Sequence, residues 1–142
     1  MIVVDASVLA PAFAYDNPVA KRARVRLEDQ ETLFAPEIID LEVAAAWRGA
    51  LRARRLNDDR AQQALADLAA LRLFRAPHQP LTARVWELRH NFTTYDAAYV
   101  ALAETLEATL LTSDGRLARA PGLRCAIELI EGSDGASGSS EA

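Results

Sequence analysis

The sequence contains one cysteine, Cys125, so no disulfide framework can hold the chain together. That cysteine and two scattered histidines, His78 and His90, cannot assemble a structural zinc site, which leaves oxygen as the ligand atom for any metal. No apolar run reaches the length a membrane helix needs. The apolar start ends in an A-x-A-like step, LAPAFA, but no Lys or Arg precedes it and Asp5 interrupts it, so export is not expected and the protein is placed in the cytoplasm with no membrane partner. There is no internal repeat and no Gly-rich phosphate loop of the kind that cradles nucleotides.

What is present suits one compact domain: 142 residues, 51% of them hydrophobic, are enough for a real core and too few for two. The Gly/Ser-rich end, residues 132–142, has no apolar anchor and is expected to be a disordered tail, leaving the domain in residues 1–131. The net charge of −4 hides two basic runs, one of Lys21, Arg22, Arg24 and Arg26, the other of Arg48, Arg52, Arg54 and Arg55. Net charge alone therefore does not exclude a polyanionic partner.

Short apolar runs alternate with amphipathic stretches. IVVD, TLFAP, LFRAP, TLLTSD and CAIELI read as five strands. Between them the periodicity predicts helices over residues 17–27, with Asn17-Pro18 as cap and first turn, and over 37–56, 57–71 and 96–107. Shorter helices fall around TARVWELRH and GRLARAPG. Strands alternating with helices imply a mostly parallel central sheet of about five strands covered on both faces.

Against this frame the carboxylates stand out. Ligands of open parallel sheets bind beyond the carboxyl ends of the strands, and Asp5 ends the first strand while Asp114 ends the fourth. At about 100° per residue, Glu42 falls among Ile38, Ile39, Ala45, Ala46 and Gly49, whereas Glu37 and Asp40 lie on the polar side. Asp96 lies on the side of Tyr99, Val100 and Ala103. A lone carboxylate on an apolar face must be protonated, paired or bound to a cation. Each acid has a structural explanation: Asp5 and Asp96 as helix caps, Asp114 as turn chemistry, Glu42 as half of a buried ion pair. Their conjunction favours one cluster instead, and an all-oxygen site of that kind suits Mg²⁺ or Mn²⁺, as one ion or two, acting on a phosphodiester.

Four stretches, IVVDASVLA, PEIIDLEVAAAW, TTYDAAYVALAE and LLTSDGRLAR, resemble the PIN-domain ribonucleases and, among them, the VapC toxins of bacterial toxin–antitoxin pairs. The resemblance covers nearly the whole chain apart from the tail, and TTYDAAYVALA followed by LLTSD is its most specific part. It implies a three-layer α/β/α fold and a Mg²⁺-dependent endoribonuclease whose central acids correspond to Asp5, Glu42, Asp96 and Asp114. Asp5 and Asp96 are the implied direct metal ligands, with Ser7 and Thr112 at hydroxyl positions that support the acids. A homodimer and a small inhibitory antitoxin are the implied partners.

Arg48, Arg52 and Arg55 recur at helical spacing and are candidates for phosphate contacts, with a solvated helix face as the competing explanation. Tyr15, Trp47, Phe92 and Tyr95 are candidates for base stacking, Trp47 and Phe92 being also natural packing residues and Tyr99 a core one. Three rivals remain. Aspartyl-phosphate chemistry normally wants a lysine after a strand, and the single lysine, Lys21, lies in a basic helix. A serine hydrolase would want G-x-S-x-G. A non-catalytic RNA-binding module, or an RNA-processing nuclease outside a toxin pair, shares the fold.

Overall fold

The computed structural model describes residues 1–29 and 31–131; the expected tail lies outside them. Five strands, β1 (Ile2–Val4), β2 (Leu33–Pro36), β3 (Leu73–Ala76), β4 (Thr109–Thr112) and β5 (Ile127–Leu129), form one sheet in the order β3-β2-β1-β4-β5. Every neighbouring pair is parallel. Seven α-helices accompany them among the described residues: α1 (Ala6–Ala14), α2 (Pro18–Glu28), α3 (Ile39–Arg52), α4 (Asp58–Ala70), α5 (Thr82–Glu87), α6 (Thr94–Leu106) and α7 (Gly115–Arg119). α1 packs with α2, α3 and α4, while α5 packs on α6, which lies across β1, β2 and β4. This is the expected α/β/α arrangement.

The central strands are apolar at consecutive positions because both faces of a parallel sheet are covered. Ile2, Val3 and Val4 of β1 and Leu110 and Leu111 of β4 are all buried. Helix α6 is buried along Ala97–Ala103, every residue in turn, and four of those seven are alanines, which lets its backbone lie close to the sheet.

The sequence reading gave no bounds to a helix after Asp5 beyond offering Asp5 as its cap; the segment forms α1, with Pro11 inside it. A helical proline has no N–H to give to the carbonyl four residues back, so the Ser7 carbonyl is left free. Ser113 Oγ donates to it at 2.9 Å, tying the start of α1 to the end of β4. The indole of Trp47 donates to the Ala10 carbonyl at 2.9 Å and fixes α3 against the same helix. Trp47 and Phe92 are buried and pack, as their composition suggested.

The helix expected to run to residue 56 ends at Arg52. Arg54 takes a left-handed conformation (φ 57°), the Arg54 N–H donates to the Leu51 carbonyl and the Arg55 N–H to the Ala50 carbonyl, at 3.1 and 2.9 Å. This is a Schellman ending with arginine where glycine is usual. It takes Arg55 out of helical spacing with Arg48 and Arg52.

Helix α6 ends the same way, with Glu107 left-handed (φ 52°) and the Ala108 N–H donating to the Ala103 carbonyl at 2.9 Å. A Cβ in that conformation is strained, and glycine removes the strain. Glu107→Gly should therefore stabilise the protein by about 1 kcal/mol, read as a higher urea midpoint at unchanged slope.

Candidate active site

Strand order reverses between β1 and β4: the chain moves outward through β2 and β3 on one side and through β5 on the other. Such a switch point opens a crevice at the carboxyl ends of the two strands. Asp5 follows β1 directly and Asp114 follows β4 by two residues. Glu42 stands in the first turn of α3, shortly after the carboxyl end of β2, and Asp96 in the first turn of α6, which precedes β4. The four acids therefore meet at one end of the sheet.

Asp5 is the most confined of them, 6% exposed. Thr112 Oγ1 donates to its Oδ2 at 2.8 Å and Ser7 Oγ donates to the same oxygen at 2.7 Å. Each hydroxyl has a single proton, so both are spent on Asp5. The hydroxyl oxygens are then free to accept, Ser7 Oγ from the Ser113 N–H and Thr112 Oγ1 from the Asp114 N–H, both at 3.0 Å. Ser7 and Thr112 thus bind Asp5 to the turn that carries Asp114, while Oδ1 of Asp5 keeps no side-chain donor.

Burial pushes the Asp5 carboxyl above its usual range; the two hydroxyl bonds oppose this and Asp114 adds to it. Glu42 and Asp96, each about half-buried, are also raised, first by desolvation and then by Asp5; Asp96 further raises Glu42, and Asp114 raises Asp96. Arg116 works in the opposite direction on Asp96. The electrostatics are those of one coupled group rather than four isolated acids.

The capping explanations divide. Asp114 does cap α7, its Oδ1 accepting from the Arg116 and Leu117 N–H groups at 2.9 and 3.4 Å, and it belongs to the cluster as well. Asp96 does not cap α6, because Thr93 does, accepting from the Asp96 N–H at 3.2 Å. Asp5 precedes α1 without a side-chain capping bond.

Glu42 requires a correction. The buried stripe of α3 is Ile39, Val43, Trp47 and Ala50, whereas Ala45, Ala46 and Gly49 are exposed. Glu42 therefore sits at the margin of the apolar face, turned toward the cluster rather than into the core. No arginine pairs with it. Its Oε1 is buried with no hydrogen-bond partner, and the same holds for the nearby Tyr99 hydroxyl. The two interact, Tyr99 lowering the Glu42 pKa, although their geometry falls short of a good hydrogen bond. Tyr99 was legible only as a core residue; its hydroxyl, kept protonated by burial and by Glu42, is a site feature that the sequence reading missed.

The two basic runs have different fates. In α2, Arg24 is bound to Asp16 at 2.8 Å, and Arg26 to Glu128, Glu31 and Asp29 at 2.6, 3.0 and 3.2 Å. Arg48, Arg52, Arg54 and Arg55 are exposed and form no ion pair among the described residues.

No three Asp, Glu, His or Cys side chains among the described residues stand ready to ligate one ion together. The donor set still fits a hard divalent cation, because Mg²⁺ keeps most of its water and is commonly held by one or two carboxylates. The unpartnered Glu42 Oε1 and the raised carboxyls of Asp5, Glu42 and Asp96 are what a bound cation would relieve.

The PIN domain family matches residues 2–123. Ribonuclease VapC1 of Mycobacterium tuberculosis is 43% identical over 129 residues, covering 90% of this chain and 96% of that protein. Ribonuclease VapC12 of the same species is 38% identical over 130 residues, 92% of this chain and 99% of the relative. Among solved structures, PAE2754 from Pyrobaculum aerophilum superposes with a TM-score of 0.65 at 24% identity, over 89% of this chain and 81% of the other. The Mycobacterium tuberculosis sarcin-ricin loop cleaving toxin VapC20 gives 0.63 at 19%, over 82% and 92%. The chain belongs to the PIN-domain family and, within it, to the VapC ribonucleases.

The raised pKa values have a sign that can be tested. Carboxyls raised above their unfolded values contribute most to stability below the ordinary carboxylate range, and that contribution is lost as pH rises through the raised values. In EDTA at neutral pH, Asp96→Asn should therefore raise the melting temperature. The gain should shrink as pH falls toward the ordinary aspartate value of 3.8. Calorimetry across that range is the measurement, and a destabilised variant at neutral pH would contradict the coupling.

Proposed function

We propose that the chain is a Mg²⁺-dependent endoribonuclease that hydrolyses RNA phosphodiester bonds in the cytoplasm. In this reading it acts as a homodimer and as the toxin of a toxin–antitoxin pair, restrained by a small antitoxin protein. The observation that carries the catalytic part is the coupling of Asp5, Glu42, Asp96 and Asp114 at the β1/β4 switch point, with three of the carboxyls raised by burial and by one another. RNA as the substrate is supported by the relatives at 43% and 38% identity, both named ribonucleases.

Asp5 and Asp96 are the residues that would hold the ion, Asp5 through its Oδ1. Ser7 and Thr112 keep the other Asp5 oxygen fixed, so that the ligand does not turn when the ion enters or leaves. Such an ion would offset the negative charge that gathers on the phosphoryl oxygens and would lower the pKa of water so that it can give up a proton and attack as hydroxide. Glu42 is suited to take the proton from that water at its unpartnered Oε1, since a raised carboxyl is a better base near neutral pH. Asp114 is fixed by the amino end of α7 and stands beside Asp5 and Asp96. Arg48 and Arg52, unpaired on α3, are candidates for contacts to the RNA backbone, with Arg55 beyond the helix end.

The test is cleavage of total cellular RNA by the purified, antitoxin-free protein in Mg²⁺, in Mn²⁺ and in EDTA. Discrete fragments should require metal and vanish with Asp96→Asn. Asp40→Asn should retain the activity, because Asp40 sits in the same turn of α3 as Glu42 but binds Arg75, at 2.6 and 2.8 Å, rather than the cluster. Losing that partly exposed pair should cost about 1 kcal/mol or less. Metal-independent cleavage, or cleavage by the Asp96 variant, would overturn the assignment.

A further inference from the structure

We infer that the pocket beside Tyr95 is a base-binding subsite that receives the nucleobase adjoining the scissile phosphate of a single-stranded RNA. The inference rests on the ribonuclease reading and adds the part of the chain that meets a base. Tyr95 is 58% exposed, although the helix it opens is buried from Ala97 through Ala103. Its ring borders a pocket of about 210 Å³ walled by Ile38, Val85 and Ala98, with His78 and Thr82 contributing polar atoms. Apolar walls with a few polar groups suit a flat heteroaromatic ligand.

The position of the pocket selects the ligand. Tyr95 immediately precedes Asp96, and the Ile38 carbonyl accepts the backbone N–H of Glu42 at 3.0 Å. Two walls of the pocket therefore adjoin two of the four acids. A nucleotide whose phosphate lies at the acids brings a base within reach of the Tyr95 ring. Asp96 itself borders a second hollow of about 240 Å³, which mixes the charged Asp114 and Arg116 with the apolar Phe92 and Leu117. A strand passing from Asp96 toward Tyr95 thus leaves a hollow that holds charged groups for one walled by apolar and aromatic side chains, and the second is the one that suits a base. Thr82 Oγ1 donates to the Gln79 carbonyl at 2.9 Å, which leaves its oxygen free to accept from an exocyclic amino group. His78 is engaged through Nδ1 with Glu37 at 2.9 Å, leaving Nε2 for a base edge.

The experiment compares wild type, Tyr95→Ala and Tyr95→Phe on total cellular RNA, with fragment ends sequenced and melting temperatures measured. Stacking one base on an aromatic side chain is worth roughly tenfold or more. Tyr95→Ala should slow cleavage by about that factor and flatten the base preference at one position beside the cut. Tyr95→Phe should keep both rate and preference, and neither variant should melt earlier by more than a degree or two, since the ring is exposed. Unchanged sites and rates in Tyr95→Ala would overturn the inference and leave the ribonuclease reading standing, as would loss of a co-purifying protein partner with cleavage unchanged. Equal losses in the Phe and Ala variants would also overturn it, because stacking would not be the cause. Absence of cleavage by wild type would overturn the ribonuclease reading and this inference with it.

Discussion

Asp5 is almost excluded from water and shares the end of the sheet with acids that repel it, so the fold must hold a carboxylate where neither solvent nor its neighbours favour the charge. Two hydroxyls do so, and both depend on strand register. β1 pairs with β4 as Val4 to Leu111, and the Asp5 N–H donates to the Leu111 carbonyl at 2.9 Å, which sets Asp5 beside Thr112. A slip of one residue would turn the Thr112 hydroxyl to the opposite face. The other hydroxyl comes from the first turn of α1, where Pro11 leaves the Ser7 carbonyl open for Ser113. A proline that looks like a defect in the helix therefore helps to fasten the strand end that carries Asp5.

The cationic side chains divide in a way that net charge conceals. Arg26 and Arg84 are each held by two or more carboxylates, and Arg84 reaches the Gly122 carbonyl as well, so these residues join helices and strands to one another. The arginines at the end of α3 have no such partners and remain available to a polyanion. For a chain of net charge −4 in which four of the 20 acids meet at one site, that separation matters. Phosphate must approach carboxylates, and unpaired guanidinium groups elsewhere on the surface give it a reason to do so.

The fold was readable because five short apolar runs alternating with amphipathic ones admit few arrangements. The four acids were readable because strand ends and a first-turn carboxylate are positions that sequence can locate. The reasoning about Glu42 was less sound than its conclusion. A helical wheel ranks faces by composition, and it took Ala45, Ala46 and Gly49 for core when small residues are equally at home on an exposed face. Helix α1 received no boundaries because Pro11 argues locally against a helix, and only the tertiary bonds from Ser113 and Trp47 to its carbonyls show how the segment is accommodated. The Schellman turn that displaces Arg55 lacks its usual glycine, so nothing in the local sequence marked the end of α3. The Tyr99 hydroxyl was hidden for a related reason. Aromatic packing accounts for the ring, and only the structure places the oxygen beside Glu42.

Several ligands would answer the same deficit of positive charge. The raised carboxyls mean that any cation entering the cluster gains binding energy from relieving repulsion, and by linkage it stabilises the folded chain. A divalent ion does this, and so does a basic side chain presented by another protein. A protein partner that reached the acids with such a side chain would not need to recognise each of them individually, because it would answer the same deficit as a cation. Both would draw on one source, the desolvated carboxyls of Asp5, Glu42 and Asp96. Specificity must come from contacts outside the cluster. The same division would apply to RNA: acids that act on any phosphodiester would leave discrimination between RNAs to surrounding surfaces such as the apolar pocket beside Tyr95.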